Sequence, residues 1–434
     1  MFKSLLKGQA MPRMFIASIL VIVVLGAAVV GAQNQPSATL EGFAVLPADS
    51  FAEGPVSGAF IDPTSNLNGR EIPFESQPVQ GVSAILPAET EGNWLVMSDN
   101  GFGAKGNSAD YNLRVYEVNV DWEAQTVSVV SFFELSDPNS LVPFAIVNQD
   151  TEDRTLTGAD FDLESFRRAA DGTFWFGEEF GPFLLQTDAT GRVLRAPIPT
   201  PYPEVLAAYA RGLEFVQAPQ NPAFVDLADD ATRNATANHR TSRGFEGMAL
   251  NTSGTMLYTM LEGSLVDDPF ANRLLIQEFD VEAGEYTGRY FFYAMNSFGN
   301  AIGEMTAIND NQFLVIERDN FEGNAASFKR IFLVDLTQAG PDGSLPKRQI
   351  VDLMNIGDIN GLTATEDGAI GFGEVFTFPF VTIESVYPVD ADTLLVVNDN
   401  NFPFSSGRRP GVDADSTEFI LIGLNEQLDL DMGM

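Results

Sequence analysis

The chain has 434 residues, with 60 acidic side chains against 24 basic ones, a formal net charge of −36, one histidine and no cysteine. A hydrophobic content of 45% excludes intrinsic disorder, and the acidic excess repels phosphate backbones, which makes nucleic acid a poor partner. Without cysteine there is no disulfide, thiolate nucleophile or sulfur-ligated metal, and His239 alone cannot build a His-rich metal centre.

Lys3, Lys7 and Arg13 lead into an apolar run from Met14 to Val30, and Val30 and Ala32 put small side chains at the −3 and −1 positions before Gln33. This is the pattern of a secretory signal peptide over residues 1–32. An uncleaved anchor is the alternative, because the run approaches the ~20 residues that span a bilayer. Residues 33–434 are expected to form one exported domain, secreted or periplasmic, monomeric and without stable membrane insertion once the signal is removed.

The body consists of short apolar runs broken by Gly, Asn, Asp and Pro, an all-β pattern. Only the stretches around Tyr202–Leu213 and Asn221–Thr232 look locally helical. Five segments repeat one plan: an acid or Ser opens a short strand, a turn follows, and a second apolar strand ends in another acid. The openings are Ser83, Glu164, Glu246, Glu304 and Glu384, and the second strands end at Asp99, Glu179, Glu262, Arg318 and Asp399. The two marks lie 16, 15, 16, 14 and 15 residues apart. Third strands follow in each repeat and fourth strands in the first four. The last repeat runs out after Glu418–Gly423, and the early strand Thr39–Leu46 is the candidate to complete it. The expectation is a β-propeller of about five four-stranded blades, with room for a sixth, closed by pairing the N- and C-terminal strands. The long connections 196–241 and 353–378 would be lids or insertions.

In a propeller the first strand of each blade lines the channel and the second runs back to the same mouth, so all ten marks converge on one face. Asp99, Glu164, Glu179, Glu246, Glu262, Glu304, Glu384 and Asp399 are therefore candidate metal ligands. Two like charges ~6 Å apart at an effective dielectric of ~20 repel by about 3 kcal/mol. Oxygen-only ligands select calcium or magnesium, and calcium is the expected ion. The competing interpretation is that such acids merely accept backbone N–H bonds in blade turns. Arg243 and Arg318 sit inside the repeat motif, where guanidinium forks suit an anionic substrate group. Arg167, Arg168, Arg409 and the Lys105, Arg114 and Arg408 side chains lie farther from it, and Arg167 and Arg409 are expected to serve solubility or acid pairing. His239, in a polar stretch, reads as a surface or loop residue rather than a base. No nucleophile elbow and no phosphate-binding P-loop occur.

The segment from Asp162 to Leu185, with Trp-Phe-Gly-Glu-Glu-Phe-Gly-Pro at its centre, resembles the phytase-like family, described as esterase-like activity of phytase. So do Arg243-Gly-Phe-Glu-Gly-Met-Ala, Val397-Asn-Asp-Asn-Asn-Phe and the loop from Ser98 to Tyr111. The resemblance spans roughly residues 40–425. It implies a secreted propeller that hydrolyses esters or phosphoesters, by analogy with calcium-dependent propeller phytases through a calcium-bridged phosphate and an activated water. The expected function is metal-assisted hydrolysis of a small anionic ester or phosphoester, with Glu179 or Glu246 as general base and Arg243 or Arg318 holding the anion. The alternative is a non-catalytic propeller that binds calcium and a ligand or envelope partner. N-terminal sequencing of secreted protein should find a chain that begins near Gln33; an intact N-terminus on membrane-bound material would mean the segment is an anchor.

Overall fold

The computed structural model describes residues 35–363 and 368–431, and the segment read as a signal peptide lies outside them. From Pro36 onward the chain is one compact unit. Strand β1 (Ala38–Leu46) comes first, then a two-stranded ribbon of β2 (Phe51–Ala52) and β3 (Gln77–Pro78). Four runs of four strands follow. They are β4 (Val82–Pro87), β5 (Asn93–Ser98), β6 (Arg114–Asp121) and β7 (Thr126–Glu134); β8 (Leu163–Arg168), β9 (Phe174–Glu178), β10 (Phe183–Thr187) and β11 (Ile198–Pro199). The next are β12 (Phe245–Leu250), β13 (Met256–Leu261), β14 (Arg273–Asp280) and β15 (Glu285–Ala294); and β16 (Ala301–Ala307), β17 (Gln312–Arg318), β18 (Lys329–Asp335) and β19 (Lys347–Asp352). The short β20 (Ile356–Gly357) and β21 (Val375–Phe376) precede β22 (Ser385–Pro388), β23 (Thr393–Val397) and β24 (Thr417–Leu424).

Each run is an antiparallel meander taken in sequence order. Tight polar turns allow this: between β8 and β9 the Asp171 carboxylate accepts from the Thr173 N–H at 3.0 Å, which folds the chain back over Gly172. Burial follows position. Strands β12 and β16 are buried along almost their whole length, whereas in β6 Val118 and Val120 are buried and Asn119 and Asp121 are exposed. The first strands touch one another in the cyclic order β4, β8, β12, β16, β22 and back to β4. A ring of inner strands with antiparallel meanders radiating from it is the β-propeller architecture.

The last meander lacks a fourth strand of its own, and β1 supplies it. Antiparallel pairs run from Ala38 opposite Leu424 to Leu46 opposite Thr417, with Leu40 and Ala44 fully buried beneath. The described part of the connection 353–378 is an insertion that packs on the closing strand. Its strand β20 pairs in parallel with the start of β1, and Phe372 and Phe376 pack edge-on against Phe43, so it braces the closing strand. The other long connection holds 3-10 turns at Glu204–Tyr209 and Pro222–Phe224 and the helix α1 (Asp230–Thr236). The helix is capped by the Asp229 carboxylate, which accepts from the Thr232 N–H at 2.8 Å.

Removing residues 37–46 strips the partner from β24, and the truncated protein is expected to aggregate or melt far below the full chain. The milder L40A leaves the backbone pairing intact but opens a cavity, and should lower unfolding free energy by about 2–5 kcal/mol. Denaturation of both variants measures this, and equal stability of truncated and full chains would refute closure by β1.

Candidate functional site

One local device aims side chains at the axis. In β8 Leu163 pairs with Glu178 and Ser165 with Gly177, so Glu164 is an extra, bulged residue. The same bulge falls on Ser83 in β4, on Glu246 in β12 and on Gly303 in β16. A bulge re-aims its residue without disturbing the face assignment of the rest of the strand. The second-strand marks are set by main-chain bonds: the N–H groups of Asp99, Glu179 and Glu262 donate to the carbonyls of Gly81, Asp162 and Gly244 at 2.9, 2.9 and 2.8 Å, and Arg318 pairs with Ala301 at the matching place.

The fourth repeat therefore contributes Gly303, not Glu304, and the spacing of 14 was one residue short for this reason. No side chain fits there, because a Cβ on Gly303 would lie 2.0 Å from the Ile383 carbonyl oxygen. Glu304, one position on, is turned away from the mouth. Its carboxylate takes an ion pair from Arg167 at 3.0 Å and the Met305 N–H at 2.7 Å. Arg167 is thus an acid-pairing residue, and Glu304 does not join the other seven acids.

Those seven do converge, and Asp162 joins them. Asp162, Glu164 and Glu179 offer oxygens within 4.8 Å of one another, and so do Glu179, Glu246 and Glu262. Glu179 is common to both groups. On the other side Glu384 accepts from the Ser83 hydroxyl at 3.1 Å, Asp399 accepts from Thr382 at 3.1 Å and from the Asn401 N–H at 2.7 Å, and Asp99 accepts from the Gly101 N–H at 2.8 Å. Gly81 is required beside Asp99, since a Cβ there would meet Asp99 Oδ1 at 2.1 Å. Two guanidiniums stand among these acids. Arg318 Nη2 lies 3.4, 3.7 and 3.9 Å from Glu384, Glu262 and Glu246, and Arg243 Nη1 is 2.6 Å from Glu262. Asp162 stands two residues before the repeat mark, where two other repeats carry Gly81 and Gly244; the search for matching residue types passed over it.

Burial dominates the electrostatics, and mutual repulsion adds to it. Glu164 is held well above the ordinary carboxylate range by burial and then by Asp162, Glu246, Glu384 and Glu179. Glu179, Glu246 and Asp99 are pushed the same way, burial first and neighbouring acids next. Burial raises Asp162 to about 6, and burial with Asp399 raises Glu384 to about 8. Turn capping does not account for the site. Glu178 performs that task, accepting the N–H groups of Phe180, Gly181 and Phe183 at 2.8, 2.6 and 2.8 Å. By contrast Asp162 Oδ1, Glu179 Oε1 and Glu246 Oε1 are buried with no hydrogen-bond partner among the described residues. An unpartnered buried oxygen is costly, and three of them with all-carboxylate chemistry fit a hard divalent cation. The clusters are compatible with a metal ion.

The remaining candidates are structural. Arg408 is locked on Glu418 through two bonds of 2.9 and 2.6 Å, and Arg114 pairs with Glu134 at 2.6 Å. His239 is not a surface residue: it is buried, one ring nitrogen lies against the Arg243 carbonyl, and burial lowers its pKa to about 4. It is neutral at pH 7 and steadies the loop that bears Arg243. Beside it a pocket of about 490 Å³ is lined by Arg243, Glu262, Ser264, Met295 and Asn300, among others.

Among known proteins, an uncharacterised secreted protein of Arthroderma benhamiae is 23% identical over 186 residues, 38% of this chain and 36% of that protein. The chain thus matches just over a third of that relative's length. The calcium-binding protein regucalcin from Agrobacterium tumefaciens overlays 92% of this chain and 100% of its own at 12% identity and a TM-score of 0.34. A luciferin-regenerating enzyme overlays 81% of each chain at 10% identity and a TM-score of 0.38. The model of the phytase-like family, described as esterase-like activity of phytase, matches residues 77–402, from just before β4 to the loop after β23, and the protein belongs to that family.

Proposed function

We propose that the protein is an exported, metal-assisted hydrolase of carboxylic or phosphate esters, built as five four-stranded blades around one acidic mouth. The observation that supports this most is the set of three buried, unpartnered oxygens on Asp162, Glu179 and Glu246. Asp162, Glu164 and Glu179 would hold one calcium ion and Glu179, Glu246 and Glu262 a second, with Glu179 shared. The bound cation supplies Lewis acidity and neutralises charge at the scissile centre.

The chain's own groups do the rest. Glu246, pushed up in pKa by burial and then by Glu384 and Glu262, is a stronger base than an ordinary carboxylate and can take a proton from water. Arg318, enclosed by three carboxylates, offsets their repulsion. Arg243 has the more exposed guanidinium of the two and lines the pocket beside the mouth, so it can hold an oxygen of the substrate. Export through residues 1–32 fits the description of the fungal relative as secreted, and among the described residues no helix is long and apolar enough to cross a membrane. A monomer is the expected state.

Raised carboxyl pKa values give a sign to the pH dependence. Where the folded-state value exceeds the unfolded one, the folded protein holds protons that the unfolded chain has released. The resulting stability is complete below the unfolded pKa and disappears as pH rises through the folded one. With Asp162 at about 6 and Glu384 at about 8, chelated protein should melt several degrees lower at pH 8 than at pH 6. Millimolar calcium should recover the mouth's share of that loss by mass action. The share from Glu178, at about 8, and Glu304, at about 7, should remain. Sodium at equal ionic strength should do much less, and a chelated protein indifferent to both pH and calcium would remove the metal reading.

Glu246→Gln keeps the shape while removing a ligand charge and the base. It should weaken the calcium response and lower kcat roughly 10²–10⁴-fold. Arg243→Ala should leave the calcium response intact and raise KM. Melting curves and turnover on acetyl and phosphoryl esters distinguish the two.

A further inference from the structure

Next to the mouth lies a larger cavity of about 950 Å³, within the range that encloses a drug-sized molecule. Its walls come from the loop after β5, the loop before β8 and the long connection around α1. Phe144, Ile146, Val147, Pro219, Pro222 and Val225 line it, and Val147 and Val225 stay 47% and 75% exposed. Asn234 and Thr241 line both this groove and the pocket that contains Arg243 and Glu262, so the two adjoin and share a wall. Phe180, the residue after the shared acid Glu179, lies under the Lys105 ammonium, 5.2 Å from ring centroid to Nζ.

Most polar groups of the groove are already satisfied. Asp160 accepts from the Val147 N–H and from the Thr157 N–H and hydroxyl at 2.8, 2.8 and 3.0 Å. Asn221 donates to the Gly181 carbonyl at 2.7 Å, Gln220 bonds Ser242 at 2.9 Å, and Arg233 is paired with Asp230. Lys105 differs: its ammonium has the Phe180 ring but, among the described residues, neither a hydrogen-bond acceptor nor an ion pair. Its three N–H donors at the edge of an apolar groove are free to donate to an acceptor oxygen. Asp160 and Glu178 act on Lys105 electrostatically, and Asp230 lines the same cavity. An incoming anion would meet these acids and those of the mouth, while a neutral oxygen would not be repelled.

Resting on the hydrolase reading, we infer that the substrate is a neutral carboxylic ester with an apolar chain or ring, rather than a polyphosphate. The apolar part lies in the groove along Val147 and Val225, and Lys105 donates to an uncharged oxygen of the ligand. Arg318 agrees with this choice, because its guanidinium is buried and surrounded by carboxylates and has little free positive charge for a phosphate.

The test has a binding arm and a turnover arm on calcium-loaded full-length protein. Calorimetry with 2-decanone, an apolar chain with one carbonyl and no hydrolysable bond, should give saturable binding at one site. Octanoate at pH 7.5 should bind more weakly. Val225→Glu and Val147→Glu, both at exposed positions, should each weaken the ketone roughly tenfold or more without moving Tm, and Lys105→Met should weaken it while keeping the apolar wall. With p-nitrophenyl esters, kcat/KM should rise from acetate to octanoate by roughly fourfold per buried methylene until the groove is full. It should exceed that for p-nitrophenyl phosphate, and Val225→Glu should flatten the chain-length dependence. No ketone binding, tighter binding of octanoate, or ketone binding equal in the Val147 and Val225 variants overturns the groove assignment. Ketone binding that behaves as expected alongside no turnover of any ester overturns the hydrolase reading and leaves the groove standing as a ligand site.

Discussion

The pairing of β1 with β24 is the constraint on which the molecule depends. Strand β1 lies more than 370 residues upstream of its partner in the sequence, so the pairing carries a large loop-closure entropy. The return is a ring without an open edge at that meander. Only a closed ring makes β4 and β22 neighbours, and that contact brings Ser83 to Glu384 and completes the acidic mouth. The brace formed by β20 and the phenylalanines around Phe43 lies where it resists fraying of this joint.

Within the ring, the position of the chemistry is decided by four β-bulges. Each inserts one residue into an inner strand, and that residue faces the axis while its neighbours keep their places in the core. Because faces alternate along a strand, a displacement of one residue separates a site residue from a packing residue. Glu304 illustrates the consequence. It has the residue type of the repeat but stands one place beyond the bulge, and it forms a buried pair with Arg167 instead. Gly303, which has no side chain, occupies the repeat position because the Ile383 backbone passes too close for any other residue.

The mouth is electrostatically expensive. Most of its acids are buried, they repel one another, and among the described residues three of their oxygens have no hydrogen-bond partner. Three buried acids elsewhere in the protein are well provided for: Glu178 has three backbone donors, Asp160 three donors and Glu418 a two-bonded Arg408. The mouth acids differ from these three, and this difference is the basis on which the mouth is proposed as a cation site. Arg318, standing where the other repeats carry an acid, moderates the repulsion but leaves both carboxylate triads open. An apolar groove, lined by Phe144, Ile146, Val147 and Val225, lies beside the mouth.

Much of this was legible in the chain before any coordinates. Period-two apolar runs, turn residues and a repeated pair of acids identify an all-β propeller, its closing strand and seven of the eight mouth carboxylates, because residue type and spacing follow directly from strand geometry. Asp162 was visible in the motif but not in the repeat, since its counterparts Gly81 and Gly244 share no chemistry with it. The buried state of His239 and the capture of Arg243 and Arg318 by acids depend on neighbours distant in sequence. The groove is likewise assembled from three separate loops. Spacing along a chain determines which residues lie in a strand; which of them reach the axis, and what they meet there, is decided by bulge register and by the packing of strands that only the closed ring brings together.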